Sequence, residues 1–190
     1  MYLTKIVLSN SEAIQQHLFN PYQWHIALWK CFQAKVRPYL FRVDQDRDQM
    51  IFLMSSSIQP FVQPWGTWQI KMVPPNFYNH NQYIFSLRAY PAIKKVIFDE
   101  NGDRKKQGIR LPHAEPEAWI TRKAVKNGFE IKNVIVAKKK RQNTSKGFQM
   151  AVDFEGVLTV KDRTLFLDAL NKGIGPSKAY GMGMLLLKPL

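Results

Sequence analysis

The feature that most constrains the fold of this chain is the order in which strand-like and helix-like segments follow one another. In the first half, alternating apolar residues and turn signals predict a strand, a helix and three more strands, at residues 2–8, 20–33, 37–43, 50–55 and 68–73. In the second half they predict a strand, a helix, two strands, a helix and a strand, at residues 83–89, 115–127, 129–138, 149–160, 163–171 and 184–188. The order β-α-β-β-α-β therefore occurs twice, without its second helix in the first half.

This order is typical of the ferredoxin-like fold, so we expect an α+β chain of two tandem ferredoxin-like domains, each an antiparallel sheet backed by helices. We place the N-terminal domain at residues 1–80, with a histidine-bearing helix, and the C-terminal domain at residues 81–190, with a basic segment and a glycine-rich loop. With 45% apolar and 13% aromatic residues, the chain has enough apolar surface for one or two small cores. A single irregular α+β domain is the alternative.

The sequence lacks the signals of a membrane or exported protein. No run of about 18 apolar residues is present, and the amino-terminal segment has neither a basic flank nor a long apolar core. Cys31 is the only cysteine, so no internal disulfide and no cysteine-based zinc site can form. We therefore expect a cytoplasmic protein without a membrane span or signal peptide.

The other metal-ligating residue types are also poorly spaced for a metal site. His17, His80 and His113 show no paired ligand spacing. The nearest acidic cluster lies within residues 44–48, and we interpret its aspartates as part of a hairpin turn, at Asp44, Asp46 and Asp48. We expect no bound metal and no cofactor.

Positive charge is concentrated in the middle of the chain. Against a net charge of +14, residues 94–146 alone carry 15 basic and 6 acidic side chains. Clustered cations bind polyanions by releasing condensed counterions, which favours nucleic acid as the partner over acidic membrane lipid or a merely solvated basic face. The candidate RNA-binding cations are Lys94, Lys95, Arg104, Lys105, Lys106, Arg122, Lys123, Lys126, Lys138, Lys139, Lys140, Arg141 and Lys146, with Arg110 among them.

The first predicted helix carries a histidine close to its amino terminus. Asn20 is suited to cap this helix and Pro21 to open it. Helical spacing places Tyr22, His25 and Trp29 on one side, and Trp24, Leu28 and Phe32 on the side that can face the core. The helix dipole disfavours protonation at this end, so a neutral imidazole is available as a proton acceptor. A packed or surface histidine without a catalytic role is the alternative.

The carboxyl-terminal end contains a glycine-rich loop between the last helix and the last strand. It places Lys178 among four glycines, Gly173, Gly175, Gly181 and Gly183. The spacing matches neither the dinucleotide-binding fingerprint nor the P-loop, which disfavours a nucleotide cofactor. The loop is either a phosphate-facing segment, in which glycine lets the backbone approach a ligand, or a helix cap followed by a tight turn.

Taken in order, these segments resemble the CRISPR-associated CasE endoribonucleases, the repeat-processing subunits of type I-E Cascade. The resemblance covers nearly the whole chain and is carried by five separated blocks. These are the Tyr22-x-x-His25 helix with Leu28, Trp29 and Phe32; residues 85–91 (FSLRAYP); Trp119-Ile120 with Gly128-Phe129; residues 152–158 (VDFEGVL); and residues 173–185 (GIGPSKAYGMGML).

The resemblance implies tandem ferredoxin-like (RRM/RAMP-like) domains and metal-independent cleavage of CRISPR repeat RNA at the foot of its stem-loop. In that scheme the ribose 2′-hydroxyl attacks the adjacent phosphate and leaves a cyclic phosphate and a 5′-hydroxyl. His25 is the implied proton-transfer residue, Tyr22 orients the nucleophile or the phosphate, and Lys178 or a neighbouring basic residue stabilises charge on the phosphorane. The implied RNA contacts in the loop are Gly173, Gly175, Ser177, Gly181 and Gly183.

The resemblance also implies partners: the crRNA stem-loop and the other protein subunits of Cascade, and no membrane. Within the same superfamily, a structural subunit that holds RNA without cutting it is the competing hypothesis. A general RNA-recognition module is a third, but the aromatic sheet motif of such modules is not found. Two departures from the family pattern are Tyr90, where Asn is common, and Pro176-Ser177, where Arg-Gly is common.

Overall fold

The structure is a computed structural model, and it describes residues 1–103, 109–144 and 147–190. Arg104, Lys105, Lys106 and Lys146 lie outside the described residues. The described residues form ten strands and four α-helices: β1 Tyr2–Ser9, α1 Asn10–Gln15, α2 Pro21–Trp29, β2 Tyr39–Asp46, β3 Gln49–Ser56, β4 Thr67–Met72, β5 Gln82–Ala89, β6 Ala92–Lys95, β7 Ile109–Pro112, α3 Pro116–Lys126, β8 Phe129–Thr144, β9 Gly147–Val160, α4 Arg163–Lys172 and β10 Leu185–Pro189. Short 3₁₀ turns lie at Pro75–Asn79 and Lys178–Tyr180.

Two four-stranded antiparallel sheets dominate the fold. The first has the order β2-β3-β1-β4 and the second the order β10-β5-β9-β8. Counted along each half, both sheets place the fourth strand beside the first, then the third and the second, which is the ferredoxin-like order. The predicted tandem ferredoxin-like fold is therefore confirmed. The domain boundary that we propose after residue 80 falls in the connection between Met72 and Gln82.

Each sheet buries one face against helices. In the first half Leu28 of α2 packs with Phe41 and Phe52 of the sheet, and all three side chains are fully buried. In the second half, the core side chains include Trp119, Phe154 and Phe166 from α3, β9 and α4. The predicted inward positions Trp24, Leu28 and Phe32 are confirmed, because Leu28 and Phe32 are buried in the first core and Trp24 packs against it.

A four-residue ion network joins the two halves. Arg88 on β5 binds Asp153 on β9 in a bidentate pair, with nitrogen–oxygen distances of 2.6 and 2.7 Å. The same guanidinium lies 2.9 Å from Asp44 on β2, and Arg42 lies 2.9 Å from that carboxylate. Burial alone would lower the pKa of Arg88, but the hydrogen bonds and charges of Asp153 and Asp44 outweigh burial and raise it.

Asp44 was expected in a hairpin turn, and that expectation is wrong. Strand β2 continues to Asp46, because its register with β3 runs as far as the Asp46–Gln49 pair. Asp44 therefore lies inside the strand and pairs with arginines. Within the described ranges, no group of three or more histidine, cysteine or carboxylate side chains is arranged to hold a metal ion.

Helix α2 and strand β8 end at residues other than those that the sequence predicted. Helix α2 ends at Trp29 rather than Gln33, because the amides of Cys31 and Phe32 bond three residues back and tighten the last turn. Strand β8 continues to Thr144, since its basic residues pair with β9 through the backbone despite lacking apolar alternation. The longest helix has 11 residues, and none in the described part of the chain has the length and apolar character that a membrane crossing requires.

Candidate functional site

The amino terminus of α2 places His25 against the first sheet. The Asn20 side chain accepts hydrogen bonds from the amides of Tyr22 and Gln23, each at 3.1 Å, and Pro21 opens the first turn. Both features match the sequence prediction of a capped start. Because this end is fixed and Leu28 is buried, His25 is directed toward strand β2.

Aromatic side chains and one hydroxyl hold the imidazole of His25. Its ring stacks on Phe41 at 11° with centroids 6.4 Å apart and meets Trp29 edge-on at 5.7 Å. The hydroxyl of Tyr39 lies 2.8 Å from His25 Nδ1 and donates to the His25 carbonyl at 2.9 Å. The side chain is thus half-buried, with a fixed ring plane.

The imidazole is kept neutral by its surroundings. Burial lowers the pKa of His25, and the positive charge of Arg37 lowers it further. The Arg37 guanidinium carbon lies 6.0 Å from the centre of the Tyr39 ring. His25, Arg37, Tyr39 and Lys172 line one side of an open cavity of about 400 Å³. A neutral base and a guanidinium therefore share a cavity, as required for proton transfer beside an anion.

Tyr22, the second predicted catalytic residue, is not brought into this cavity. Its side chain is 57% exposed, and it does not line the space that His25 and Arg37 share. Its predicted role in orienting the nucleophile or the phosphate stays a prediction.

Lys178, the third predicted catalytic residue, sits in the glycine-rich loop and folds back on it. Its Nζ donates to the Gly175 carbonyl at 2.7 Å. Burial lowers the pKa of Lys178, and the charges of Arg37 and Lys123 lower it further. Lys178 lines a basic cavity next to the glycine-rich loop, separate from the one that contains His25. Arg37 therefore lines the same cavity as His25, whereas Lys178 lines a different one.

The glycines of the loop are explained by packing. Gly183 has φ +90°, and a Cβ there would lie 2.8 Å from the Ile174 carbonyl oxygen. Gly181 has φ +78°, and a Cβ there would lie 3.3 Å from the ring of Phe41, the ring on which His25 stacks. The loop therefore packs directly beside the histidine site. Contacts of Gly173, Gly175, Ser177, Gly181 and Gly183 with a phosphate stay predictions.

Most of the predicted RNA-binding cations that the structure describes lie on two surfaces that flank the loop. The first, which we call the arm cleft, has a volume of about 330 Å³ and is lined by Lys138, Lys140 and Arg141 of β8, Arg88, the start of α2 and Tyr180. The second, the α3 basic surface, consists of Lys94, Arg110, Arg122, Lys123, Lys126 and Lys178. The 3₁₀ turn Lys178–Tyr180 contributes Lys178 to one surface and Tyr180 to the other.

Two further predicted cations, Lys95 and Lys139, are exposed on β6 and β8 but line neither surface. Because β8 extends to Thr144, the basic run Lys138–Arg141 lies on the strand and not in the connection between the predicted strands at residues 129–138 and 149–160. The Arg141 guanidinium stacks on Phe148 across the pair, 4.1 Å from the ring centre. Residues 138–144 of β8 and 147–153 of β9 therefore form a two-stranded antiparallel arm.

One departure from the family pattern has a structural reason. Tyr90 is buried, and its hydroxyl donates to the Arg110 carbonyl at 3.2 Å, which ties the end of β5 to β7. Sequence reasoning missed Arg37 and Tyr39 at the site. Neither has a motif: Tyr39 contacts His25 because β2 runs beneath α2, and Arg37, two residues before Tyr39, lines the same cavity.

Comparisons with known proteins agree with this fold. The family model described as CRISPR associated protein matches residues 1–189. The chain is 31% identical over 206 aligned residues to the CRISPR system Cascade subunit CasE of Escherichia coli K12, and 28% identical over 217 to the CRISPR-associated endoribonuclease Cse3 of Thermus thermophilus; both alignments cover 100% of each chain. The structure of Thermus thermophilus Cse3 bound to an RNA representing a pre-cleavage complex superimposes with a TM-score of 0.79 at 27% identity, covering 99% of this chain and 98% of the other.

Proposed function

The chain belongs to the family of CRISPR-associated proteins, and on that premise we propose that it is the endoribonuclease that processes precursor crRNA. It binds the stem-loop of the CRISPR repeat, cuts at the base of the stem, and remains as a subunit of Cascade. Full-length similarity to a Cascade subunit and to an endoribonuclease that has been captured with RNA before cleavage supports this assignment.

The observation that carries the catalytic part of the proposal is the setting of His25. An imidazole packed wholly in the core would favour a subunit that only holds RNA. Instead, His25 lines an open cavity with Arg37 and Lys172, beside the glycine-rich loop, and its lowered pKa keeps it able to accept a proton. This arrangement favours the nuclease over the non-catalytic subunit.

The proposed reaction is an internal transfer at phosphorus. His25 takes the proton of a ribose 2′-hydroxyl, the 2′-oxygen forms a bond to the adjacent phosphorus, and the bond from phosphorus to the 5′-oxygen breaks. The proton then passes from the imidazolium to the departing 5′-oxygen. The products are a 2′,3′-cyclic phosphate and a 5′-hydroxyl, and His25 is neutral again.

Cationic side chains stabilise the charge that develops on the phosphorane. Arg37 lines the same cavity as His25, and its positive charge lowers the pKa of both His25 and Lys178, so its guanidinium is suited to bind the phosphate. Lys178 supplies a second positive charge from the loop, and Tyr22 orients the substrate from the exposed side of α2. Protein side chains carry out every step of the proposed reaction, so the reaction needs no metal ion.

The basic surfaces hold the RNA. Double-stranded RNA presents phosphates and a wide, shallow minor groove, so a protein recognises it mainly by backbone contacts and shape. The arm cleft and the α3 basic surface place cations on both sides of the loop next to His25. A stem held by these surfaces has its foot near the histidine site.

The test is cleavage of a CRISPR repeat stem-loop RNA in EDTA, with analysis of the product ends. We expect cutting at one position with a cyclic phosphate, lost in His25→Ala while binding persists, and unchanged in the control His80→Ala, which changes an exposed histidine in the connection between the sheets. Tight binding by the wild-type protein without any cutting would overturn the nuclease and support the structural subunit.

A further inference from the structure

We propose that Tyr39 is a positioning residue that fixes the imidazole of His25 in the tautomer protonated on Nδ1, which leaves Nε2 as the atom that exchanges protons with the substrate. The catalytic consequence rests on the proposed function, whereas the tautomer itself is a property of the free protein. The sequence carries no sign of this role, since Tyr39 is 14 positions from His25 and lies in an ordinary strand.

Hydrogen counting at the Tyr39 hydroxyl determines the tautomer. This hydroxyl lies 2.8 Å from Nδ1 of His25 and 2.9 Å from the carbonyl oxygen of the same residue. It has one hydrogen to give, and a carbonyl oxygen can only accept. If the hydrogen went to Nδ1, two oxygen lone pairs would face each other at 2.9 Å. The hydrogen therefore goes to the carbonyl, and Nδ1 must carry a hydrogen of its own that it donates to the hydroxyl oxygen.

The hydroxyl is held in this position by its ring. Tyr39 is only 2% exposed, and its ring stacks on Phe32 at 11° with centroids 5.1 Å apart. Because the same oxygen contacts the backbone and the side chain of His25, it also fixes the imidazole relative to α2. No other hydrogen bond to the His25 ring occurs among the residues that the structure describes, so Nε2 is left for the substrate.

The arrangement suits both directions of proton transfer. When Nε2 gains a proton, Nδ1 keeps its hydrogen, so the bond to Tyr39 persists and becomes charge-assisted. When Nε2 returns the proton to the leaving oxygen, the original tautomer is restored without any movement of the ring. Tyr39 thus directs each proton transfer to Nε2.

The direct test is to read the protonation of the two ring nitrogens of His25 by long-range ¹H–¹⁵N NMR on the free full-length protein. His25→Ala assigns the signals. At a pH where the ring is neutral, we expect a protonated Nδ1 and a bare Nε2 in the wild type, and a mixture with protonated Nε2 in Tyr39→Phe. A wild-type ring protonated on Nε2, or an unchanged tautomer in Tyr39→Phe, would overturn the proposal.

Tyr83→Phe is the matched control, because Tyr83 is fully buried and its hydroxyl donates to the Phe77 carbonyl at 2.7 Å, outside the histidine site. We expect Tyr39→Phe to slow single-turnover cleavage by about fivefold to tenfold, the effect of one neutral hydrogen bond, with RNA affinity unchanged. Tyr83→Phe should leave both the tautomer and the rate as in the wild type. If the wild type bound RNA without cutting it, the proposed function would fail, yet the NMR result would still decide the tautomer.

Discussion

The two halves of the molecule share one strand order but differ in how their strands are connected and in charge. The first half connects β3 to β4 without a helix, and its helix α2 carries His25. The second half has a helix in both crossovers and contains the whole basic segment 94–146, which has 15 basic against 6 acidic residues in the sequence. We propose that the same fold serves proton transfer by His25 in the first half and most of the RNA binding in the second, because the side chains on it differ.

The site depends on contact between the halves. The glycine-rich loop belongs to the second half, yet Gly181 packs on Phe41 of the first half, and Phe41 supports His25. The ion network of Arg42, Asp44, Arg88 and Asp153 links the same two sheets. In our proposal, proton transfer and RNA binding therefore both depend on a fixed contact between the two halves. Variants at this contact should affect both activities.

The largest expected effect is at the ion network. Arg88→Ala leaves the carboxylate of Asp153, with only 10% of its side chain exposed, without its bidentate partner. Removing one member of a buried ion pair typically costs about 3–5 kcal/mol, so we expect a loss of that size in the free energy of unfolding, measured by urea denaturation. The control Lys161→Ala breaks an exposed pair with Glu130 and should cost no more than about 1 kcal/mol. Equal losses for the two variants would show that the network does not join the halves.

The next effect is at the loop. Gly183→Ala combines a left-handed backbone with a clash against the Ile174 carbonyl. Gly102→Ala is the matched control, because Gly102 has φ +82° but a Cβ added there would meet no other atom within 4 Å. The free energy of unfolding of the control should fall by about 1 kcal/mol from backbone strain alone. That of Gly183→Ala should fall by clearly more, and this variant should also cleave RNA more slowly. Melting temperatures and single-turnover cleavage rates measure the two effects. Equal losses of stability in Gly183→Ala and Gly102→Ala would contradict a tightly packed loop.

A smaller effect is expected from Arg37. In the folded protein, burial and then the charge of Arg37 lower the pKa of His25. The lowered pKa of His25 therefore adds to the free energy of unfolding when the pH is above the usual histidine pKa. This contribution is lost as the pH falls through the lowered pKa of the folded protein. Arg37→Gln removes a positive charge that lines the cavity with Lys172, so the pKa should rise.

The acidic limb of the pH profile of kcat then moves to higher pH in Arg37→Gln. Lys71→Gln, an exposed change on β4, should leave the limb where it is. A limb that does not move in Arg37→Gln would mean that the guanidinium does not act on His25, and a limb that moves in both variants would mean that net charge alone sets it.

The sequence was sufficient to predict the order of the strands of the two main sheets along the chain and the residue at which α2 begins. Period-two alternation in β1 and β5, and the Asn20-Pro21 pair, are local signals that the structure retains. Helix α1 also has a local signal, the capping box between Ser9 and Glu12, but the helix has only six residues and was not predicted. The antiparallel pair of β6 and β7 was missed because each of its strands has only four residues, too few to show a clear alternation.

The composition of the site was less predictable. His25 and Lys178 follow from motifs in the sequence. Arg37 and Tyr39 do not, because the contact of Tyr39 with His25 and the place of Arg37 in the same cavity depend on how α2 packs across the sheet. Non-local packing of this kind leaves no periodic pattern in the chain.

The most direct test of the division between the halves is the single-turnover cleavage rate at saturating protein for Lys138→Gln/Lys140→Gln, compared with His25→Ala. Both lysines line the arm cleft, and neither lines the His25 cavity. We expect the double variant to bind RNA more weakly, with a salt slope lower by about two, because each lysine neutralises one phosphate. At saturation it should cut at the wild-type rate, whereas His25→Ala should bind normally and cut about 10²–10⁴-fold more slowly. A saturated rate that falls in the lysine variant as far as in His25→Ala would contradict the account.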